Sequence, residues 1–294
     1  MVARVVQMGS GGEWGSARPR PVQSAAMVPF PDISPIALQI GPVAVRWYGL
    51  SYLAGIALGW WLLARRAGAN PAQGWHAEAV ADLVFYAAAG GVLGGRVGYI
   101  LFYNFREYLV DPLEILAVWR GGMSFHGGVL GMVAGIALFG RFTGRRFFQC
   151  ADFLLPVVPI GLGLGRIANF INQELWGAPT SLPWGVRFTA PGAGDVARHP
   201  SQLYEAALEG ILLLVVLELL RRRGPRTGVV SAVFLMVYAG SRIGVEFVRE
   251  PDAHLGYLWG GWLTMGQLLS LPMLVGGAII FWRSRSWARE GSKA

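Results

Sequence analysis

The sequence is short of what soluble proteins place on their surfaces. Only 14% of its 294 residues are charged, against about 25% in a typical soluble domain. Lysine is nearly absent: Lys293 is the single example, and the other basic residues are arginines. There is one cysteine, Cys150, so no intramolecular disulfide can form and a multi-cysteine metal site is excluded. Set at the start of an apolar run, Cys150 reads as a small buried hydrophobe. The four histidines, His76, His126, His199 and His254, are scattered without metal-ligand spacing. Neither a metal nor a cofactor is expected.

What is abundant is apolar. Hydrophobic residues make up 54% of the chain, and there are 42 glycines. Seven apolar segments fall at 48–64, 79–102, 123–139, 147–171, 203–220, 229–247 and 262–282. Each approaches or exceeds the roughly 17–25 residues that cross a hydrocarbon core. Open strands cannot cross lipid, because every backbone polar group there must be satisfied within the segment. The expected fold is therefore an all-α integral membrane protein with seven transmembrane helices. The glycines suit close helix packing in lipid. The formal charge of +8 sits in short loops between apolar segments and not on one soluble face, so nucleic acid is not an expected partner.

Residues 1–27 contain Gly, Ser, Arg and Pro but no apolar core of a signal peptide. They read as a disordered extension, or as an over-extended gene start with Met27 as initiator. Residues 28–294 then form one transmembrane domain. Arginines cluster in alternate loops: Arg65–Arg66, Arg141–Arg146, Arg221–Arg226 and the C-terminal tail. The positive-inside rule makes those loops cytoplasmic, with the N-terminus outside and the C-terminus cytoplasmic. Two external loops are long. In 104–121, Leu109, Leu113, Leu116 and Trp119 suit an interfacial amphipathic helix or an ordinary packed loop. The other, 175–200, is rich in Pro, Gly and Thr, with a short strand at 184–188, and reads as a small cap.

The stretch GLGLGRIANFINQELWG, residues 161–177, departs from this apolar pattern. It ends a membrane helix with Arg166, Asn169, Asn172, Gln173 and Glu174. An arginine within the bilayer costs roughly 2.5–3.5 kcal/mol on insertion scales and marks a candidate site. The alternative is a helix end whose arginine snorkels to the headgroups.

On the sixth segment Tyr238, Arg242, Glu246 and Arg249 share an arc of about 80° at 100° per residue. Arg242 and Glu246 form an i,i+4 pair. Two arginines to one glutamate leave a positive charge for an anion. His126 opens the third segment between glycines, as a general base or acid of pKa about 6.5 or as a histidine hydrogen-bonded at the interface. Tyr48 alone reads as an interfacial anchor. Arg96 is a further intramembrane cation of open role. In RHPSQLYEAALEG, Ser201 is the expected N-cap, with Glu205 and Glu209 in the first turns. Gln202, Tyr204 and Glu209 can also join a polar network.

The arginine count places Tyr48, Arg96, His126, Arg166–Glu174, Glu205 and Arg242–Arg249 at one membrane face. The expectation is an outward-facing, net positive cavity for an anionic lipid. A transporter explains seven helices and a positive cavity equally well, but its site belongs near the midplane and usually accompanies internal repeats; no repeat is visible. A structural subunit leaves the arginines unexplained.

GRIANFINQELWG resembles the signature of the bacterial phosphatidylglycerol–prolipoprotein diacylglyceryl transferases, Gly-Arg-x-x-Asn-Phe-x-Asn-x-Glu-x-x-Gly, at every specified position. SFHGGVLG, HPSQLYEA and the Tyr238–Arg249 stripe resemble that family's other blocks, in its order. The resemblance covers about 28–285. It implies transfer of a diacylglyceryl group from phosphatidylglycerol to the lipobox cysteine of a prolipoprotein, forming a thioether and releasing glycerol phosphate. It also implies a multi-pass protein of the bacterial cytoplasmic (inner) membrane, with membrane lipids around it and the site in the outer half. By position, Arg166, Asn169, Glu174, Gly177, Tyr48 and Arg249 match substrate-binding residues. His126, Arg242, Tyr238 and Glu246 match catalytic ones. In that assignment Arg166 binds the lipid, Arg242 stabilises the leaving phosphate, His126 is the candidate base, and Glu174 and Glu246 orient the arginines.

Overall fold

A computed structural model describes residues 27–69, 74–117, 121–251, 256–258 and 260–290. The N-terminal segment before Met27, Trp119 and His254 lie outside the described residues.

The chain is mostly helical. Six helices are long and apolar enough to cross a membrane: Trp47–Ala69 (α1), Ala77–Phe102 (α2), Phe125–Thr143 (α4), Phe147–Ile171, Val229–Glu246 (α9), and Met265–Ser284 within α10 (Met265–Glu290). The Phe147–Ile171 span contains Pro156 and Pro159. It divides into α5 (Phe147–Leu154), a 3-10 turn (Leu155–Val157) and α6 (Val158–Ile171), as expected where proline removes a backbone donor and crowds the preceding turn. The expected segment at 203–220 is helical throughout, but it differs in kind from the other six. It carries Glu205, Glu209 and Glu218, and it runs as α7 (Ser201–Glu205), a π-helical stretch (Ala206–Leu212) and α8 (Leu213–Arg222). Such wide turns are rare and concentrate at functional sites.

Glycine decides which helices touch. α2 and α4 cross backbone to backbone, and a methyl group on Gly131 would run into the Gly90 carbonyl. α6 meets the π stretch at Gly163 and Gly210, where a Cβ on Gly210 would lie 2.8 Å from Gly163 Cα. Without a hydrophobic force between helices in lipid, small residues at crossings supply the close contact that holds them. At the opposite end of the bundle from the site, Leu63, Val80, Leu83, Phe139 and Cys150 form a buried core. Trp75 stacks there on Phe153, centroids 4.0 Å apart, and beneath the Arg145 guanidinium at 4.2 Å.

Among the described residues, strand is confined to two small two-stranded sheets. β2 (Ile36–Ile40) and β3 (Val43–Arg46) form an antiparallel hairpin that leads directly into α1. β1 (Val28–Pro29) pairs in parallel with β4 (Val186–Arg187), inside the expected 184–188 strand. Phe30, Val186, Phe188 and Ala193 pack there with Phe170 and Trp176 into the core of a small cap. The 104–121 loop holds a short helix, α3 (Phe105–Val110), and a 3-10 turn (Pro112–Leu116), with Leu109, Leu113 and Leu116 exposed.

Candidate active site

The elements converge on a buried cluster of three arginines and three glutamates. α6 supplies Arg166, the α7–π segment supplies Glu205 and Glu209, and α9 with the residues after it supplies Arg242, Glu246 and Arg249.

Glu205 stands at the centre with no exposed surface. One carboxylate oxygen, Oε1, accepts from Arg242 Nη1 and, at 3.2 Å, from Arg249 Nη1. The other, Oε2, lies 3.2 Å from Arg166 Nη1. Glu209, equally buried, takes two nitrogens of Arg166 on its Oε2, Nη2 at 3.1 Å and Nε at 3.2 Å. Glu246 Oε1 pairs with Arg242 Nη2 at 2.5 Å and lies 3.8 Å from Arg249 Nε. Its Oε2 accepts from the Thr264 hydroxyl at 2.6 Å. Tyr238 lies within electrostatic reach of Arg166, Glu205, Glu209 and Arg242. The polar residues of α9, Tyr238, Arg242 and Glu246, therefore all border this cluster.

The expected surplus of positive charge is corrected by this geometry. Two arginines to one glutamate held for the stretch 238–249 alone. Glu205 and Glu209 arrive from another helix, Arg166 joins from a third, and the six formal charges sum to zero. A carboxylate left without its cation in an apolar interior is strongly unfavourable, so buried charges collect their partners. Ser201 and Glu205 also differ from the capping reading. Pro200 occupies the N-cap position and Ser201 is the first helical residue, donating to the Leu175 carbonyl at 3.0 Å. Glu209 joins the polar network expected for it, and Glu205, expected only as a first-turn residue, centres that network.

The signature stretch divides its residues between this cluster and the cap. Arg166 points into the cluster. Asn169, buried, donates to Glu174 Oε1 at 2.6 Å, and Asn172 approaches the same oxygen at 3.5 Å. Glu174 thus binds the signature's own amides; its bonds do not reach an arginine, contrary to the orienting role implied for it. Gln173 and Leu175 adopt left-handed backbone, φ +52° and +60°, which is rare for residues with side chains. Ser201 Oγ and Gln202 Nε2 hold this turn by donating to the Leu175 and Glu174 carbonyls. Gln173 reaches outward and its Oε1 accepts from the Thr189 and Ala190 amides at 2.7 and 3.1 Å.

Gly177 sits where three backbone segments meet. It donates to the His199 carbonyl at 2.9 Å, Ala178 donates to the Val248 carbonyl at 2.9 Å, and Gly177 bridges Arg249. A Cβ at Gly177 would lie 2.5 Å from Val248 O and 2.7 Å from His199 O. Arg198, which the sequence reading passed over, is buried beside it and binds the Ala193 and Gly177 carbonyls and Glu250.

Tyr48, at the start of α1, is half-exposed. Its hydroxyl lies 3.2 Å from that of Tyr52, and Arg166 and Glu174 are within electrostatic reach. His126 is the second residue of α4, exposed, with its ring 5.6 Å from that of Phe125; it joins no hydrogen bond of the cluster. Arg96 is buried and structural. It donates to the carbonyls of Glu114, Ile115, Ala117, Gly121 and Gly122, and stacks at 5.2 Å over Tyr108, fastening the 104–121 loop to α2. Among the described residues no group of three or more His, Cys, Asp or Glu could hold a metal ion.

Chemically, the cluster brings three guanidinium groups together from α6, α9 and the residues after it, each balanced by a carboxylate. Comparison with known proteins gives the family. Residues 35–283 match the model of the family described as prolipoprotein diacylglyceryl transferase. The phosphatidylglycerol–prolipoprotein diacylglyceryl transferase of Azotobacter vinelandii is 54% identical over 264 residues, 90% of this chain and 99% of that protein. The protein of the same name from Methylococcus capsulatus is 54% identical over 268 residues, 90% and 100% of the two chains. That from Pseudomonas paraeruginosa is 51% identical over 269 residues, 91% and 100%.

Proposed function

The chain belongs to the prolipoprotein diacylglyceryl transferase family, and from that premise we propose how its buried arginine–glutamate cluster carries out the transfer. The protein is a multi-pass membrane transferase that acts on phosphatidylglycerol and prolipoprotein. In the reaction we assign, the thiol of the lipobox cysteine attacks the glyceryl carbon that bears the phosphate. A thioether forms, the carbon–oxygen bond breaks, and glycerol phosphate leaves. The sulfur nucleophile belongs to the acceptor, which agrees with Cys150 being fully buried in the core at the far end of the bundle.

The observation that carries this reading is the meeting of Arg166, Arg242 and Arg249 within one ion-pair cluster inside an apolar bundle. A phosphodiester gains a second negative charge as it leaves. Preorganised donors in a water-poor site stabilise such developing charge far better than water does. We assign the lipid phosphate to Arg166 and the leaving phosphate to Arg242, with Arg249, Glu246 and Tyr238 holding Arg242 in place. Tyr48, Asn169 and Glu174 border the lipid headgroup, and Gly177 keeps the cap seated. His126 stands at the mouth of α4. We assign it to steering the acceptor cysteine into the site; the thiol, of ordinary pKa about 8.5, must still give its proton to a group nearer the cluster.

For topology we propose seven spans, with the Ser201–Arg222 helix as the fifth. Its glutamates are neutralised by partners on neighbouring helices, which is how intramembrane charge is tolerated. The arginine-rich loops put the C-terminus in the cytoplasm and the cap and the cluster toward the outer half of the inner membrane. Residues 28–294 are the transferase domain, preceded by an extension. Purified protein, phosphatidylglycerol and a lipobox peptide test the reading. A thioether-linked mass gain with release of glycerol phosphate is expected; lipid movement without covalent change would overturn it in favour of a flippase.

A further inference from the structure

Three features of the cluster raise a question about charge. The six side chains sum to zero, so a phosphodiester entering adds a net negative charge to a low-dielectric space. Each of the three Arg166 nitrogens faces a glutamate, two on Glu209 and one on Glu205. A lipid phosphate that binds Arg166 therefore competes with carboxylates already in place. The two glutamates are not equally held. Glu205 contacts three arginines, whereas among the described residues Glu209 is ion-paired with Arg166 alone.

Glu209 is also the glutamate with an idle oxygen. Its Oε1 is buried and has no hydrogen-bond partner among the described residues. Glu205 Oε2 and Glu246 Oε1 lack well-aligned hydrogen bonds too, but both lie against a guanidinium. A buried oxygen without a partner is uncommon and calls for a physical reason. Glu209 lies in the π-helical stretch, next to Gly210, whose close approach to Gly163 brings this stretch against α6 and Arg166.

We propose that Glu209 is the counter-anion that the lipid phosphate displaces from Arg166, and that the carboxylate so released takes and holds the proton of the acceptor thiol. This rests on the transferase reading above. A carboxylate stripped of its cation in an apolar setting gains proton affinity, so lipid binding itself creates the base. The balance closes. The S–H bond breaks, and its proton passes to Glu209. The sulfur forms a bond to the glyceryl carbon, while the carbon–oxygen electron pair leaves on the phosphate. Neutral Glu209 makes the cluster net positive at the moment when the leaving group carries two charges. The proton then passes to the departing glycerol phosphate, and the carboxylate returns to Arg166.

The test compares wild type with Glu209→Gln on two lipobox peptides, one with cysteine and one with selenocysteine, whose selenol is ionised at neutral pH. Glutamine imitates protonated Glu209. The apparent KM for phosphatidylglycerol should fall, because no carboxylate competes for Arg166. kcat with the cysteine peptide should drop by about 100-fold or more, the usual scale for a lost acid–base group. The selenocysteine peptide should recover most of that loss. Equal slowing of both peptides, or cysteine turnover within about threefold of wild type, overturns the proposal. Should the glutamine variant not accumulate, Glu209→Asp supplies the same readout: a raised selenocysteine-to-cysteine rate ratio supports the proposal and an unchanged ratio overturns it. Failure of wild type to modify either peptide would instead count against the transferase reading.

Discussion

Arg166 places two nitrogens, Nε at 3.2 Å and Nη2 at 3.1 Å, on a single carboxylate oxygen of Glu209. This contact spans the Gly163–Gly210 crossing, one helical turn before Arg166 on one side and one residue after Glu209 on the other. Helix packing and site chemistry are the same contact.

The crossing should accordingly be sensitive in an unequal way. A Cβ on Gly210 would sit 2.8 Å from Gly163 Cα, while one on Gly163 would sit 3.2 Å from Gly210 Cα. Gly210→Ala should therefore cost more than Gly163→Ala, on the order of 1–3 kcal/mol for an overpacked contact. Thermal midpoints in detergent rank the two. Transfer activity should fall in the same order, because separating the backbones pulls Glu209 from Arg166.

Gly177→Ala should disable the enzyme without touching any charge. Its Cβ would meet Val248 O at 2.5 Å and His199 O at 2.7 Å, both backbone atoms that cannot rotate away. Moving Val248 moves Arg249, and with it one of the cations on Glu205. The expected result is at least a tenfold loss of kcat/KM, or about 1.4 kcal/mol, with protein that still accumulates in the membrane. Wild-type turnover in the alanine variant would remove this positioning role.

Arg96 offers a contrast. Its guanidinium donates to five loop carbonyls, and a lysine ammonium, with three donors and no planar fork, cannot serve them all. Arg96→Lys should speed limited proteolysis within 105–117 several-fold. Because Arg96 makes no bond to the cluster, kcat should change less than it does in Gly177→Ala.

The cap should carry an acid sensitivity of its own. His199 lies in the cap, where burial lowers its pKa below the ordinary 6.5. Its Nδ1 is 3.3 Å from the Tyr204 hydroxyl, which also accepts from Trp184 Nε1 at 2.8 Å. With Trp184 donating to it, the hydroxyl has its own proton for His199, so the neutral ring is the form that fits. The folded cap thus binds fewer protons than the unfolded chain between the lowered pKa and 6.5. Its contribution is full above pH 6.5 and is lost as pH falls through the lowered value. The thermal midpoint should drop as pH falls below 6.5 in wild type, and less in His199→Gln. Parallel curves for the two proteins would rule out His199 as the source.

Much of this was legible from residue order alone. Composition and apolar run length sufficed for an all-helical membrane protein, because lipid leaves a backbone few ways to satisfy its polar groups. The 100° periodicity put Tyr238, Arg242 and Glu246 on one face of α9, and that face borders the cluster; Arg249, expected on the same helix, reaches the cluster from beyond its end, where it bridges Gly177. The signature's spacing and the matching blocks were enough to point to the family, since those are properties of order in the chain.

Only the tertiary structure decided who partners whom. Counting charges along the stretch 238–249 suggested a spare cation, because the balancing Glu205 and Glu209 come from a helix far away in sequence. Ser201 and Glu205 resemble an N-cap and its first turn by local rules, yet one clamps the signature turn and the other centres the cluster. Arg96 and Arg166 look alike as buried arginines; carbonyls surround the first and carboxylates the second. The physical reason is common to all of these. The cost of desolvating a charge is set by its own burial, which apolar runs reveal, but the offset comes from groups that meet it in space. The chain's chemistry therefore announces that a partner is needed, and only the packing of α6, the π stretch and α9 says which one.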